Sequence, residues 1–273
     1  MAMRIWHQSF TVLQDLGPYA DALRAQVDRL TRPDTEVVLH GMAPGTYPTN
    51  YPGTDIRHVV TQYLHGTQFL ANALRAQQEG YDAFLVCTLP EPALTEIRSV
   101  LDIPVVGYCE SALHTACYLG RRIGILSFIE DMTQLVEANV HRHGFGSRFG
   151  GIRQVGFGFQ DVLQGFTDPE PLLDRFRSAA RAMIADGVDV IIPGEAPLCT
   201  LLSRHGLSRV DEVPIVDAYA TTLATAEMLV DLRRKLGLSV NRRGYFFTPP
   251  KAERMAQLAD FYGLGKDRSA SDV

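Results

Sequence analysis

The chain has 273 residues, 46% hydrophobic and 21% charged, enough apolar material for one large core or two smaller ones, which excludes a disordered or fibrous protein. The formal charge of −5, with lysine and arginine scattered singly, offers no basic stripe to neutralise a run of phosphates, so nucleic acid is not an expected partner. No window approaches about 18 uninterrupted apolar residues, and the start from Met1 to Phe10 lacks the charged, then greasy profile of a secretory signal, so no membrane partner is expected and the expected location is the cytoplasm.

Short β-branched runs alternate with longer helical stretches along the whole chain. This is the pattern of helices covering both faces of a mostly parallel sheet, and the class is α/β. The predicted strands are Arg4–Gln8, Glu36–Gly41, Ala83–Thr88, Pro104–Tyr108, Arg122–Phe128, Ile152–Gly156, Val188–Pro193 and Pro214–Ala218. Eight strands suit one barrel or two sheets. Apolar residues at three and four spacing predict helices over Tyr19–Leu30, Asp55–Gln78, Glu130–His143, Pro169–Ala185 and Thr221–Leu236, with Gly80, Gly144, Gly187 and Gly237 as stops after four of them. The stretch Gly41–Thr54 is too long for a routine turn and is a candidate functional loop. Four cysteines, Cys87, Cys109, Cys117 and Cys199, lack CxxC spacing and read as reduced thiols.

Two segments look alike. Asp82 to Leu94 leads on to Pro104, and Asp189 to Leu198 leads on to Pro214, each reading as strand, short polar turn, helix and a proline-led strand. The aspartate precedes that proline by 22 residues in the first copy and 25 in the second, close enough for a duplicated unit, although any two βαβ units share this outline. A duplication pairs the carboxyl ends of two sheets across a cleft, where open α/β sheets bind ligands. Thr88 and Glu195 each stand six residues after their aspartate and are expected to face one another there.

These segments resemble the aspartate/glutamate/hydantoin racemase superfamily, and the resemblance spans nearly the whole chain. Thr88-Leu-Pro-Glu-Pro-Ala-Leu94 is similar to the family's strand end, in which a cysteine precedes an acid-proline turn; the cysteine position is Thr88. Asp189-Val-Ile-Ile-Pro-Gly-Glu195-Ala is similar to the strand closed by a Gly-Cys pair, and that cysteine position is Glu195. Pro104-Val-Val-Gly107 with Glu110, and Trp6-His-Gln-Ser9 at the place of the first-strand substrate loop, extend the likeness. The loop lacks the family's Asn-Pro-Asn. The resemblance implies two similar α/β domains, residues 1–110 plus 220–273 and residues 111–219, each with a mostly parallel four-stranded sheet, an active site between them, no cofactor, a small-molecule substrate and self-association as a homo-oligomer.

The family's two-thiol racemisation does not transfer, because a threonine hydroxyl is too weak an acid to exchange a proton near neutral pH, although it can hydrogen-bond a carboxylate or carbonyl. Glu195 remains as the catalytic acid/base, with Thr88 beside it; a plain helix-start charge is the alternative for Glu195. Glu110 and His114, four apart, share a helical face, so His114 is a further catalytic candidate and Glu110 a binding one, with a helix-start carboxylate beside a half-buried histidine as the alternative. Gln8 and Ser9 end the first strand as substrate hydrogen-bonding groups. Thr46, Tyr47 and Tyr51 could close over a small molecule, and the backbone N–H groups of Leu89 and Ala196 are expected to hold its oxyanion or carboxylate. Cys87 is expected to point into the core.

His141 and His143 fall on different helical faces, so no metal site is expected, and Gly156-Phe-Gly158 lacks the rest of a dinucleotide fingerprint. The expectation is a cofactor-independent isomerase or lyase using a single carboxylate. Hydrolysis, racemisation with a second acid, and ligand binding without turnover are the alternatives.

Overall fold

A computed structural model describes residues 2–264; the tail from Gly263 to Val273 reads from its sequence as a frayed end, and residues 265–273 of it lie outside the described residues. In chain order the first half contains β1 (Met3–Gln8), α1 (Gly17–Leu30), β2 (Thr35–His40), α2 (Gly53–Ile56), α3 (Val59–Gln78), β3 (Ala83–Val86), α4 (Leu94–Val100), β4 (Val105–Gly107) and α5 (Tyr108–Leu119). The second contains β5 (Ile123–Ser127), α6 (Thr133–Arg142), β6 (Phe149–Gln154), α7 (Phe159–Gly165), α8 (Glu170–Ala185), β7 (Val190–Pro193), α9 (Ala196–Arg204), the short strands β8 (Arg209–Val210) and β9 (Val213–Pro214), α10 (Ala218–Leu236) and α11 (Ala252–Phe261).

The strands form two parallel sheets, in the order β2-β1-β3-β4 and β6-β5-β7, and not a barrel. Helices flank both. All residues of β3, β5 and β7 are buried, as continuous apolar runs demand when a sheet is covered on both faces. The fourth position of the second sheet is filled only by a parallel bridge between Ile191 and Ile215, because the chain beyond β9 turns into α10 at once. The Asp217 side chain caps α10, accepting from Ala220 N at 2.9 Å, and the helix ends at Gly237 with φ of 69°. It packs along α5 and against β3 and β4.

The repeat read from the sequence recurs in the hydrogen bonds. Asp82 N donates to Arg4 O and the Asp82 carboxylate accepts from Arg4 N, while Asp189 N donates to Arg122 O and its carboxylate accepts from Arg122 N. Each aspartate thus ties the start of its own strand to the start of the central strand beside it. The predicted helix over Asp55–Gln78 is two helices, since His58 is extended with φ of −108° and ψ of 134°.

Candidate active site

The carboxyl ends of β1, β3, β5 and β7 converge on one cavity of about 60 Å³. Its walls are mainly apolar: Phe10, Tyr19, Tyr51, Ile56, Leu89, Phe128, Ile129, Met132 and Phe159, with Ser9, Thr11, Thr88 and Glu195 as polar members. Glu195 is the single charged side chain among the lining residues. Strand topology explains the convergence, because parallel strands deliver their carboxyl ends, and the loops that follow, to the same edge.

Glu195 follows β7 with extended backbone, φ −105° and ψ 143°, and precedes the first turn of α9, where Pro197 forfeits no helix hydrogen bond. The side chain turns inward and is 8% exposed. One carboxylate oxygen accepts from the Ser127 hydroxyl and the other from Phe128 N at 3.3 Å, while Ile129 N donates to Ser127 Oγ at 3.1 Å. Burial pushes its pKa up to about 7; the hydrogen bonds from Ser127 and from backbone N–H groups oppose that rise and keep the ionised form within reach. Near neutral pH the group can both take and return a proton.

Thr88 and Leu89 lie on the turn after β3. That turn is held from behind: Asn139 on α6 donates to Leu89 O at 3.0 Å and Pro90 O at 2.8 Å. Glu91, 1% exposed with φ of 49°, accepts from Glu110 N at 2.9 Å and meets His143 Nε2 at 2.5 Å. A Cβ at residue 107 would sit 2.1 Å from Glu91 Oε1, so Gly107 is what lets this carboxylate reach the start of α5. His143 therefore serves the turn.

Of the residues singled out in the sequence, Glu195, Thr88, Ser9, Leu89 and Ala196 line the cavity together. Tyr51 also lines it and stacks on Phe159 with centroids 4.8 Å apart, and Arg57 pairs with Asp131 at 3.0 Å, so the end of the long loop and the residues just after it strap the first half to the second beside the site. Gln8 is not available to a substrate. It is fully buried, accepts from Trp6 Nε1 and Asn72 Nδ2, and donates to Ser9 O and Gly41 O. Thr46 and Tyr47 are absent from the lining: Thr46 donates to Ala43 O at 2.7 Å, and Tyr47 is buried against His65. His114 and Glu110 line a separate groove of about 910 Å³ between α5 and α10; His114 is exposed and Glu110 is bound by Arg98. Cys87 lines the cavity rather than pointing wholly into the core, but burial pushes its thiol well up, as it does for Cys199, whose Sγ contacts Asp217 at 3.3 Å.

The family described as Asp/Glu/Hydantoin racemase matches residues 19–226. The chain belongs to that family. A hydantoin racemase from Pseudomonas sp. (strain NS671) is 27% identical over 231 residues, 84% of this chain and 86% of the relative. Among solved structures, an allantoin racemase from Klebsiella pneumoniae is similar at a TM-score of 0.73 and 20% identity, covering 92% of this chain and 94% of its own. A double mutant of arylmalonate decarboxylase is similar at 0.57 and 17%, covering 90% of this chain and 99% of its own. The chain is an enzyme of the racemase superfamily, of the isomerase kind, with the two-sheet fold these structures share. No helix among the described residues is long and apolar enough to cross a membrane.

Within this racemase-family fold, the sequence reading missed Ser127, Phe128 and Tyr19. The repeat held the signal for the first two, because β5 is the second-half counterpart of β1 and its carboxyl end belongs at the cleft as Ser9 does. Tyr19 carries no such signal; it opens α1, a helix legible only by its buried stripe.

Proposed function

We propose that this racemase-family enzyme transfers protons at a carbon acid without a cofactor, as an isomerase or lyase, with Glu195 as its one acid/base group. The substrate class is a small carboxylate, amide or cyclic ureide, and the likeness to hydantoin and allantoin racemases favours the ureide. The observation that carries the reading is the buried Glu195 carboxylate, with a pKa of about 7, on the wall of an apolar cavity it shares with Thr88. A base of that pKa suits proton transfer near neutrality.

The carboxylate takes the proton beside a carbonyl and gives it back to carbon, while the Thr88 hydroxyl hydrogen-bonds a substrate oxygen. The raised thiol pKa of Cys87 argues against a thiolate base there. One base on one face isomerises by returning the proton to a neighbouring carbon on that same face, or protonates the carbanion left by decarboxylation; return to the carbon it left shows only as isotope exchange. The test is incubation of amino acids, hydantoins and malonates in heavy water, following carbon-bound deuterium, product and optical rotation. One class is expected to gain solvent deuterium, and Glu195→Gln to abolish the gain while the fold and much of the ligand affinity survive. Binding of a compound without turnover would make the chain a ligand-binding protein, and unchanged turnover in the Glu195→Gln protein would move the chemistry to another group.

A further inference from the structure

Proton removal from a carbon acid is only half of the electrostatic problem. When the C–H bond breaks, its electron pair forms a C=C bond and the carbonyl π pair moves onto oxygen, so negative charge collects away from Glu195. A low-dielectric cavity without a donor at that oxygen would oppose the step. Ser9 Oγ and Thr11 Oγ1 lie 2.8 Å apart and bond one another, which leaves at most one hydroxyl proton of the pair free, and Thr88 is given a substrate oxygen in the reading above. Ser127 is committed to Glu195.

Tyr19 is different. It sits in the first turn of α1, is fully buried, and lines the cavity, yet its hydroxyl has no hydrogen-bond partner. A buried hydroxyl left unpaired is costly, and such groups call for an explanation. We propose that Tyr19 Oη donates a hydrogen bond to the substrate oxygen that becomes negative when Glu195 takes the proton. This rests on the carbon-acid reading above and adds a catalytic residue to it. The phenol O–H stays intact throughout; the proton travels between substrate carbon and Glu195. Burial, followed by the neighbouring Cys87 and Cys199 thiols, holds the phenol protonated far beyond neutral pH, which keeps it a donor.

The decisive variant is Tyr19→Phe. With no partner inside the protein, the hydroxyl contributes nothing to the fold, so the thermal midpoint should stay level or rise; a structural role predicts a fall. Deuterium exchange into 5-methylhydantoin should drop on the order of 100-fold, in kcat with little change in KM, the loss typical of an oxyanion donor. A second readout needs no turnover. In protein carrying ζ-13C tyrosine, the Tyr19 resonance is the one missing from Tyr19→Phe, and saturation with acetate at pH 6 should move it. Exchange unaffected by the variant, a lowered midpoint, or a resonance unmoved by acetate overturns the proposal. If wild-type protein exchanges no 5-methylhydantoin, the ureide reading fails, and the acetate titration alone decides the hydroxyl: a shift supports it and no shift ends it.

Discussion

Replacing Glu195 with Gln should stabilise the protein at high pH and not at low pH, and the size of the effect follows from one displaced pKa. The carboxyl titrates at about 7 when folded, against 4.5 for an unperturbed group. The folded state therefore binds the proton more tightly than the unfolded state, and stability falls as pH rises from 4.5 towards 7. The stability is fully present below the unfolded pKa and fully lost above the folded one. A gap of about 2.5 units at 1.36 kcal/mol each amounts to about 3 kcal/mol at pH 8 and almost nothing at pH 4. Glutamine cannot ionise and escapes this loss. It does set an amide N–H against Phe128 N–H, but that cost is the same at both pH values and cancels when the wild-type-to-variant difference at pH 4 is subtracted from that at pH 8. Urea unfolding of both proteins at the two pH values measures the quantity, with no substrate required. A difference that does not change with pH, or that favours wild type more at pH 8, refutes the account of Glu195 as a buried carboxyl held near neutrality.

Removal of the Ser127 hydroxyl should act on the same group from the other side. Ser127→Ala withdraws a donor that favours the charged form, so the midpoint of the pH–rate rise moves upward by about 1–2 units, the equivalent of a charge-assisted hydrogen bond of roughly 1.5–3 kcal/mol; an unmoved midpoint counts against it. Gln8→Ala should cost stability and not affinity: it strands Trp6 Nε1, Asn72 and Gly41 O in the core, for a loss of more than about 2 kcal/mol in urea unfolding, with ligand binding preserved at a temperature where the variant is folded. His114→Ala should leave turnover within about twofold and stability within about 0.5 kcal/mol, because the ring is exposed on the far groove.

The sheets were legible because buried parallel strands are short apolar runs of β-branched residues, and the predicted runs that begin at Arg4, Ala83 and Arg122 lie within two residues of β1, β3 and β5. α7 was not, since seven residues give too few turns to display a period. At the site, Thr88 and Glu195 followed from matched distances along a repeat, which is a property of the chain itself. Gln8 misled because strand alternation says which residues share a face but not which face meets the ligand, and a one-residue difference sends Gln8 to the core and Ser9 to the cavity. The Glu91–His143 contact joins side chains 52 residues apart in sequence, a pairing that no local spacing encodes.

A chamber of about 60 Å³ lies far below the roughly 300–1,000 Å³ of ordinary small-molecule sites. Occupancy by anything as large as a substituted ring therefore requires wall contacts such as the Tyr51–Phe159 stack to part, and the exposed Arg57–Asp131 pair joins the same two halves close by. Admission and departure are then breathing events of this hasp, and ionic strength, which loosens an exposed ion pair, becomes a dial on how fast the enzyme can be loaded.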